Sequence, residues 1–207
     1  MDTDRKKAKE QVKALPFNEK IKYYWSYYRN HLIIGLIILV IIVYSVYEIA
    51  TKPQYDLNIA CYFSSAIAEE TVNDLVEIAK ENIDDITGDG EVLVEHVTNY
   101  YAADSYSEQN QAVLTKFMAE LSAGDAFVYI FDESFLNFIK DGYGDCFEQV
   151  IDLNSIPELK EKLDLSDEQK ICWATKALYE QEKDKEKRVS AHKNAVKVSQ
   201  YFSSIFK

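Results

Sequence analysis

The chain has 207 residues, 47% hydrophobic content and a formal net charge of −12. It therefore has enough apolar material for one compact domain and a membrane segment, which excludes a disordered polyanion. Residues 1–31 carry 8 Lys or Arg against 4 Asp or Glu, whereas residues 48–207 carry 15 against 31. Because nucleic acid attracts clustered positive charge, the acidity of the longer segment predicts no nucleic-acid partner.

Residues 31–50, HLIIGLIILVIIVYSVYEIA, form a long apolar stretch with no charged residue between Arg29 and Glu48. About 18 uncharged residues rising 1.5 Å each extend roughly 27 Å, close to the hydrocarbon thickness of a bilayer. A buried core helix is the alternative, but this stretch is apolar all round, with only Gly35 and Ser45 as small or polar interruptions. The sequence predicts a transmembrane helix over residues 31–50.

The residues flanking this stretch predict its direction. The eight basic residues of the N-terminal segment all precede it, and Tyr and Trp residues lie at both ends, as in the aromatic belts of membrane proteins. The positive-inside rule then places residues 1–30 in the cytoplasm. A cleaved signal peptide is disfavoured by the long leading segment and by Glu48 close to the candidate cleavage position. We expect a single-pass protein of the cell membrane whose C-terminal domain is extracellular.

Residues 1–30 combine basic side chains with Phe17, Ile21, Tyr24, Trp25 and Tyr28 at helical spacing. One interpretation is a basic cytoplasmic tail and an interfacial helix, held near anionic lipid headgroups. The other is a helix that docks on a cytoplasmic partner. We favour the interfacial helix, because a helix entering a bilayer from this side commonly has this composition.

Strand-like and helix-like patterns alternate over residues 51–207. Strands are predicted over residues 55–63, 91–101 and 126–131, and helices over residues 69–83, 107–121, 133–140, 155–163 and 189–207. Residues 126–131, AFVYIF, are apolar throughout, as in a strand buried on both faces at the centre of a sheet. Residues 170–178 suit either a strand or a helix. The alternation predicts one α/β domain with a largely parallel sheet flanked by helices.

Two segments carry a resemblance to known proteins. Residues 121–150, LSAGDAFVYIFDESFLNFIKDGYGDCFEQV, resemble a stretch of extracellular solute-binding proteins of the periplasmic-binding-protein type. The segment YYWSYYRNHLIIG, with an outer domain that has a D-x-x-G-D-G turn before a strand, resembles uncharacterised membrane-anchored proteins of Gram-positive bacteria. Solute-binding proteins close two lobes around a ligand, and about 155 residues suffice for one. The resemblance therefore implies a one-lobe domain of this fold.

The turn DDITGDG, residues 84–90, partly fits a calcium-binding EF-hand loop, with Asp85, Thr87 and Asp89 at the first three ligand positions. The twelfth position is His96, where a bidentate Glu is required, and the residues that follow read as a strand. A Gly-rich turn between a helix and a strand is the interpretation we favour. Calcium remains a second hypothesis for this turn.

Other candidate chemistry is weak. Cys61, Cys146 and Cys172 lack any C-x-x-C spacing; two of them could form a disulfide outside the membrane, although buried thiols are commoner in a domain with its own core. The three histidines lie far apart, and the sequence contains no H-E-x-x-H, G-x-S-x-G or P-loop motif. We therefore predict no catalytic, cofactor-binding or metal-binding residue and no cofactor.

These observations support one leading hypothesis for function. We expect a non-enzymatic binding or interaction module tethered to the outer face of the membrane. Its partners would be the lipid bilayer and either a small ligand or another membrane protein. The alternative is an accessory subunit of a larger membrane complex, which would use the aromatic and basic N-terminal segment and the membrane helix as contacts. A surface hydrolase is the third hypothesis.

Overall fold

The computed structural model describes residues 16–102, 107–166 and 169–205. The chain divides into two units, with the boundary between Pro53 and Gln54. The described part of the first unit contains a continuous 35-residue helix, α1 (Phe17–Thr51), about 52 Å long at 1.5 Å per residue. One stretch of this helix, Tyr28–Ile49, is long and apolar enough to cross a membrane, and its residues are exposed along its whole length.

The second unit is a five-stranded sheet flanked by helices. Its elements in chain order are β1 (Leu57–Phe63), α2 (Glu69–Glu81), β2 (Val94–Tyr100), α3 (Glu108–Ala123), β3 (Val128–Asp132), α4 (Glu133–Tyr143), β4 (Phe147–Asp152), α5 (Pro157–Lys162), β5 (Ile171–Lys176) and α6 (Glu186–Ile205). The strand order is β2-β1-β3-β5-β4. β1 pairs in parallel with β2 and β3, whereas β5 pairs antiparallel with β3 and β4.

The α/β class and the mostly parallel sheet flanked by helices are confirmed. Four of the five strands run in one direction, and β5 is the exception. β3 is the central strand, as the apolar run at residues 126–131 predicts. The ambiguous residues 170–178 contain β5, and the sequence did not predict β4 at all.

Side chains from the central strands alternate between the two faces of the sheet, because successive residues of a strand point to opposite sides. Ile59, Ile130 and Trp173 join the core on the α2 face, which we define as the face covered by α2, α5 and α6. Ala60 and Phe131 join the core on the α3 face, which is covered by α3 and α4. Strands β1, β3 and β5 therefore separate two apolar cores.

The core on the α3 face is mainly aromatic. The Tyr62 ring lies 5.2 Å from Phe117 of α3 and 5.2 Å from Phe135 of α4, measured between ring centroids. Phe131 lies 5.6 Å from Phe135. Offset and edge-to-face ring pairs at these distances add to the stabilisation from apolar burial, so this cluster holds both helices on the sheet.

Truncation of Phe131, which is fully buried, should therefore destabilise the domain strongly. We expect Phe131→Ala to lower the free energy of unfolding by about 3–5 kcal/mol, because it removes a buried ring and leaves a cavity. The control is Phe138→Ala, since Phe138 is 49% exposed and should cost less than about 1 kcal/mol. Urea unfolding of the detergent-solubilised chain, followed by near-ultraviolet circular dichroism, measures both. Equal losses would contradict the burial of Phe131 in the core on the α3 face.

Candidate functional site

The carboxyl ends of the parallel strands meet at one edge of the sheet, where open α/β sheets usually bind ligands. Asp132, the last residue of β3, is buried at this edge. Its Oδ2 accepts hydrogen bonds from the amide and the hydroxyl of Ser64, the latter at 2.6 Å. Its Oδ1 accepts from the amide of Phe135 at 2.8 Å and caps α4. Both carboxylate oxygens therefore hold structure together.

Further polar contacts cross the same edge. Gln169 Nε2 donates to the Ser65 hydroxyl at 3.0 Å and to the Ala66 carbonyl at 3.3 Å. Lys170 Nζ pairs with Glu133 Oε1 at 3.0 Å, and this hydrogen bond raises the pKa of Lys170. These contacts tie the loop after β1 and the start of α4 to the residues before β5. These side chains therefore have hydrogen-bond partners within the described part of this edge.

The opposite edge of the sheet, at the amino ends of β1 and β3, contains a cleft of about 210 Å³. It is lined by Asn58 and Ala60 of β1, Glu95 and Val97 of β2, Glu120 of α3 and Asp125 of the loop before β3. Ala60 belongs to the core on the α3 face, and Asn58 lies two residues before it on the same side of the strand. The cleft is therefore on the α3 face, and three of these six side chains are acidic.

Two polar atoms of the α3 face stand out among the described residues, because Asn58 Oδ1 and Tyr129 OH are buried and have no hydrogen-bond partner. Asn58 lies opposite Glu95 in the β1–β2 register, and Tyr129 lies opposite Ala60 in the β1–β3 register. An unsatisfied buried polar group costs about 1–3 kcal/mol. Such groups in a folded protein are explained by ordered water, an ion, local strain or a functional role.

A network of ion pairs supports one wall of this cleft. Arg188 of α6 pairs with Asp125 at 2.9 Å and with Glu182 Oε1 at 2.5 Å. Lys176 Nζ, at the end of β5, lies 3.1 Å from the same Glu182 oxygen and 5.2 Å from the centre of the Phe127 ring. Lys176 is fully buried, so its ammonium depends on this carboxylate and on the ring face. The network fixes the loop before β3 against α6.

The turn at residues 84–90 is organised by buried Asp56, which precedes β1. Asp56 is fully buried, and its Oδ1 accepts from the amides of Ile86 and Thr87 at 2.7 and 3.0 Å. Its Oδ2 accepts from the amide of Leu93 at 2.8 Å. Asn194 of α6 joins the same site, because its Nδ2 donates to the Asp56 carbonyl at 3.3 Å. Asp56 therefore holds both ends of the segment that leads into β2.

The candidate calcium ligands of this turn already have hydrogen-bond partners. Asp85 Oδ1 accepts from the Gly88 amide at 2.6 Å, and its Oδ2 accepts from the Gly90 amide at 2.9 Å. These two backbone hydrogen bonds lower the pKa of Asp85. Asp89 Oδ1 accepts from the Glu91 amide at 2.9 Å. Gly88 and Gly90 have φ values of +75° and +89°, so the arrangement is that of a hydrogen-bonded turn.

The residues that the structure describes give little support for a metal site or a reactive cysteine. No group of three His, Cys, Asp or Glu residues that could hold a metal ion occurs among the residues that the structure describes. All three cysteines are free, and Cys61 and Cys172 are buried. Burial raises the pKa of Cys61 to about 12 and that of Cys172 to about 11. Both thiols are therefore protonated and unreactive at neutral pH.

Comparison with known proteins finds no matching family model, curated protein or solved structure. The sequence predicted no site residue, and the structure brings together three acidic side chains that it did not single out. Alternation within β2 places Glu95 and Val97 on one face, but only the register with β1 puts Glu95 beside Asn58.

The turn allows a direct test between its two interpretations. We expect Gly90→Val to destabilise the domain by about 1–2 kcal/mol with or without calcium, because a side chain strains a positive φ. Gly142→Ala is the control, since Gly142 lies within helix α4 and has open space around it, and it should not destabilise. The melting temperature measures both. A calcium-dependent rise of several degrees that Asp89→Asn abolishes would instead support the EF-hand hypothesis.

The Glu182 carboxylate should make the stability of the domain depend on pH. Burial alone would raise the pKa of Glu182, but hydrogen bonds from the Tyr179 amide and from Lys176, with the nearby positive charges, lower it. The pKa of Glu182 in the folded protein therefore lies below the value near 4.3 of an unfolded glutamate. The stability that the charged carboxylate adds is complete above about pH 4.3 and is lost as the pH falls through the folded pKa.

We expect the wild-type chain to lose more unfolding free energy than Glu182→Gln between about pH 6 and about pH 3, because the variant lacks this titrating carboxylate. The variant itself should be less stable at neutral pH, since the buried Lys176 loses its ion-pair partner. Glu180→Gln is the matched control, because the side chain of Glu180 is 85% exposed. Urea unfolding at each pH measures how the free energy of unfolding depends on pH. If Glu182→Gln kept the pH dependence of the wild type, the assignment of this dependence to the Glu182 carboxylate would be wrong.

Proposed function

We propose that this protein is a membrane-tethered binding or interaction module with a single transmembrane helix. The observation that carries the proposal is the exposed apolar stretch Tyr28–Ile49, followed by a separate unit that has its own core. Its 22 residues extend about 33 Å as a helix, enough for the hydrocarbon core of a bilayer. Apolar side chains exposed around a whole helix are unfavourable in water and favourable in lipid.

The charges on either side of the stretch support a cytoplasmic N-terminus. Lys20, Lys22 and Arg29 lie before or at its start, and Glu48 lies at its end. Basic residues favour the cytoplasmic side of a membrane helix. We therefore place the acidic second unit, Gln54–Lys207, outside the cell membrane.

We propose that the outer unit is a one-lobe, non-enzymatic module resembling part of a solute-binding protein. The hydrogen bonds of Asp132 and Gln169 at the carboxyl edge support this proposal, because they occupy part of the position where catalytic sites of α/β proteins usually form. The acidic cleft at the opposite edge supports a binding role, since it is a concave surface lined by the carboxylates of Glu95, Glu120 and Asp125. The partner under this proposal is a small ligand, and the bilayer provides the anchor.

A second candidate function is an accessory subunit of a membrane complex. The observation that favours it is the segment of α1 before the apolar stretch, where Phe17 is 76% exposed, Ile21 52% and Trp25 60%. These side chains suit either the lipid interface or a partner helix. Co-purification of one stoichiometric membrane protein from mild detergent would favour this second function over a free-standing module.

The proposed topology predicts a specific pattern of proteolysis. Protease added to intact cells without their wall should digest the domain after Pro53 and spare a tag placed before residue 1, because only the domain faces outward. Lysed cells are the control and should lose both. Immunoblots against the tag and the domain provide the measurement. Survival of the domain together with loss of the tag would show the reverse orientation.

A further inference from the structure

Helix α1 is longer than the hydrocarbon core of a bilayer requires. It extends about 52 Å as one continuous helix, whereas its apolar stretch Tyr28–Ile49 extends about 33 Å. Residues 17–27 continue the same helix for about 16 Å before the start of that stretch. The polar headgroup layer is only roughly 5–7 Å thick on each side of the hydrocarbon core. If α1 were perpendicular to the membrane, Phe17 would therefore lie in water.

One face of this N-terminal segment of α1 is apolar and exposed. Successive residues of a helix are rotated by about 100°, which places Phe17, Ile21, Trp25 and Tyr28 within an arc of about 80°. These four side chains are between 45% and 76% exposed. Apolar surface of this extent is unfavourable in water. We call this face the aromatic arc, and it requires either lipid or protein to cover it.

The charges around the aromatic arc favour lipid. Lys20 and Lys22 lie about 100° from the centre of the arc, one on each side, and Arg29 lies next to Lys22 on the helix surface. Glu19 is exposed and lies about 160° from the centre, on the far side of the helix. Basic side chains at both borders of an apolar face can bind anionic headgroups while the apolar face contacts the acyl boundary. A groove on a partner protein requires only the apolar arc.

A tilted α1 brings the aromatic arc to the headgroups. At a tilt of about 30°, the apolar stretch extends about 29 Å along the membrane normal and the whole helix about 45 Å. These lengths match the roughly 30 Å of the hydrocarbon core and the roughly 40–45 Å of the bilayer with its headgroup layers. Membrane helices tilt by about 0–40°. A tilt also turns one side of the N-terminal segment toward the membrane surface.

We propose that α1 crosses the membrane at a tilt of about 30°, with the aromatic arc against anionic lipid headgroups of the cytoplasmic leaflet. Lys20 and Lys22 then bind the phosphate groups of these lipids, and Glu19 faces the cytoplasm. This proposal rests on the proposed transmembrane helix, and it names the partner of the segment that precedes the apolar stretch.

Tryptophan fluorescence of the full chain in vesicles of phosphatidylcholine and phosphatidylglycerol tests the orientation. The chain has two tryptophans, and Trp173 is fully buried in the second unit, so Trp25→Phe provides a constant background. In that background, Ile21→Trp should be quenched strongly by lipids that carry a quencher at the headgroup. Glu19→Trp is the matched control on the far side of the helix and should be quenched severalfold less. It removes a negative charge, so weaker quenching cannot result from repulsion by the vesicle.

Three results would overturn the proposal. Equal headgroup quenching of Glu19→Trp and Ile21→Trp would show that the arc has no preferred direction. An Ile21→Trp indole that lipid does not quench but aqueous acrylamide does would show that the segment projects into water. An indole that neither quencher reaches would show that a protein covers the arc.

Leu39→Trp tests the membrane span separately, because Leu39 lies near the middle of the apolar stretch. In the Trp25→Phe background it should be quenched by lipids that carry the quencher at the end of the acyl chain. Absence of this quenching would refute the transmembrane helix and with it the proposed function. Quenching of Leu39→Trp without headgroup quenching of Ile21→Trp would refute only the tilted, headgroup-bound segment.

Lysine variants test the charge of the lipid partner. In the Ile21→Trp chain, Lys20→Gln combined with Lys22→Gln should reduce headgroup quenching severalfold, because anionic lipid attracts both ammonium groups. The matched control combines Lys162→Gln with Lys193→Gln, which make the same change of net charge at exposed positions of α5 and α6. Equal effects of the two pairs, or unchanged quenching in vesicles without phosphatidylglycerol, would refute the binding of anionic headgroups.

Discussion

Burial of the three central strands on both faces is the constraint on which the domain depends. Every residue of β3 and β5 is buried, so neither strand can satisfy its backbone or its side chains with water. Each strand therefore requires a neighbour on both sides and helices above and below. The aromatic cluster around Phe131 and the mainly aliphatic core around Ile130 cover the two faces separately, so the sheet lies between two layers of helices.

Two buried aspartates hold the loops at the two ends of the sheet by hydrogen bonds. Asp132 ties the loop after β1 to the start of α4, and Asp56 holds the turn that leads into β2. A carboxylate that accepts several backbone amides is well satisfied and has little capacity left for a ligand. Asn58 Oδ1 and the Tyr129 hydroxyl have no such partner among the described residues. Asn58, which lines the cleft, therefore differs from the two aspartates, because its amide oxygen has no hydrogen-bond partner among the described residues.

Local patterns predicted much of the fold. Residues 126–131 predicted the central strand, because six apolar residues suit burial on both faces. β4 was not predicted because its sequence FEQVID does not alternate apolar and polar residues, with Val150 next to Ile151. A bulge between Phe147 and Gln149 lets Phe147 and Ile151 pack against opposite cores. The place of β5, and the approach of Asn58 to Glu95, depend on pairing between distant segments. No local pattern contains that information.

Strand order also constrains when the sheet can be completed during synthesis. β5 lies between β3 and β4, although it follows both in the chain. Until residues 171–176 have emerged from the ribosome, β4 has no pairing partner and β3 keeps one open edge. Unpaired strand edges are the parts of a nascent chain that associate with other chains. A nascent chain that ends before residue 171 would thus leave β4 unpaired and one edge of β3 open, whereas a chain that includes β5 can pair both strands.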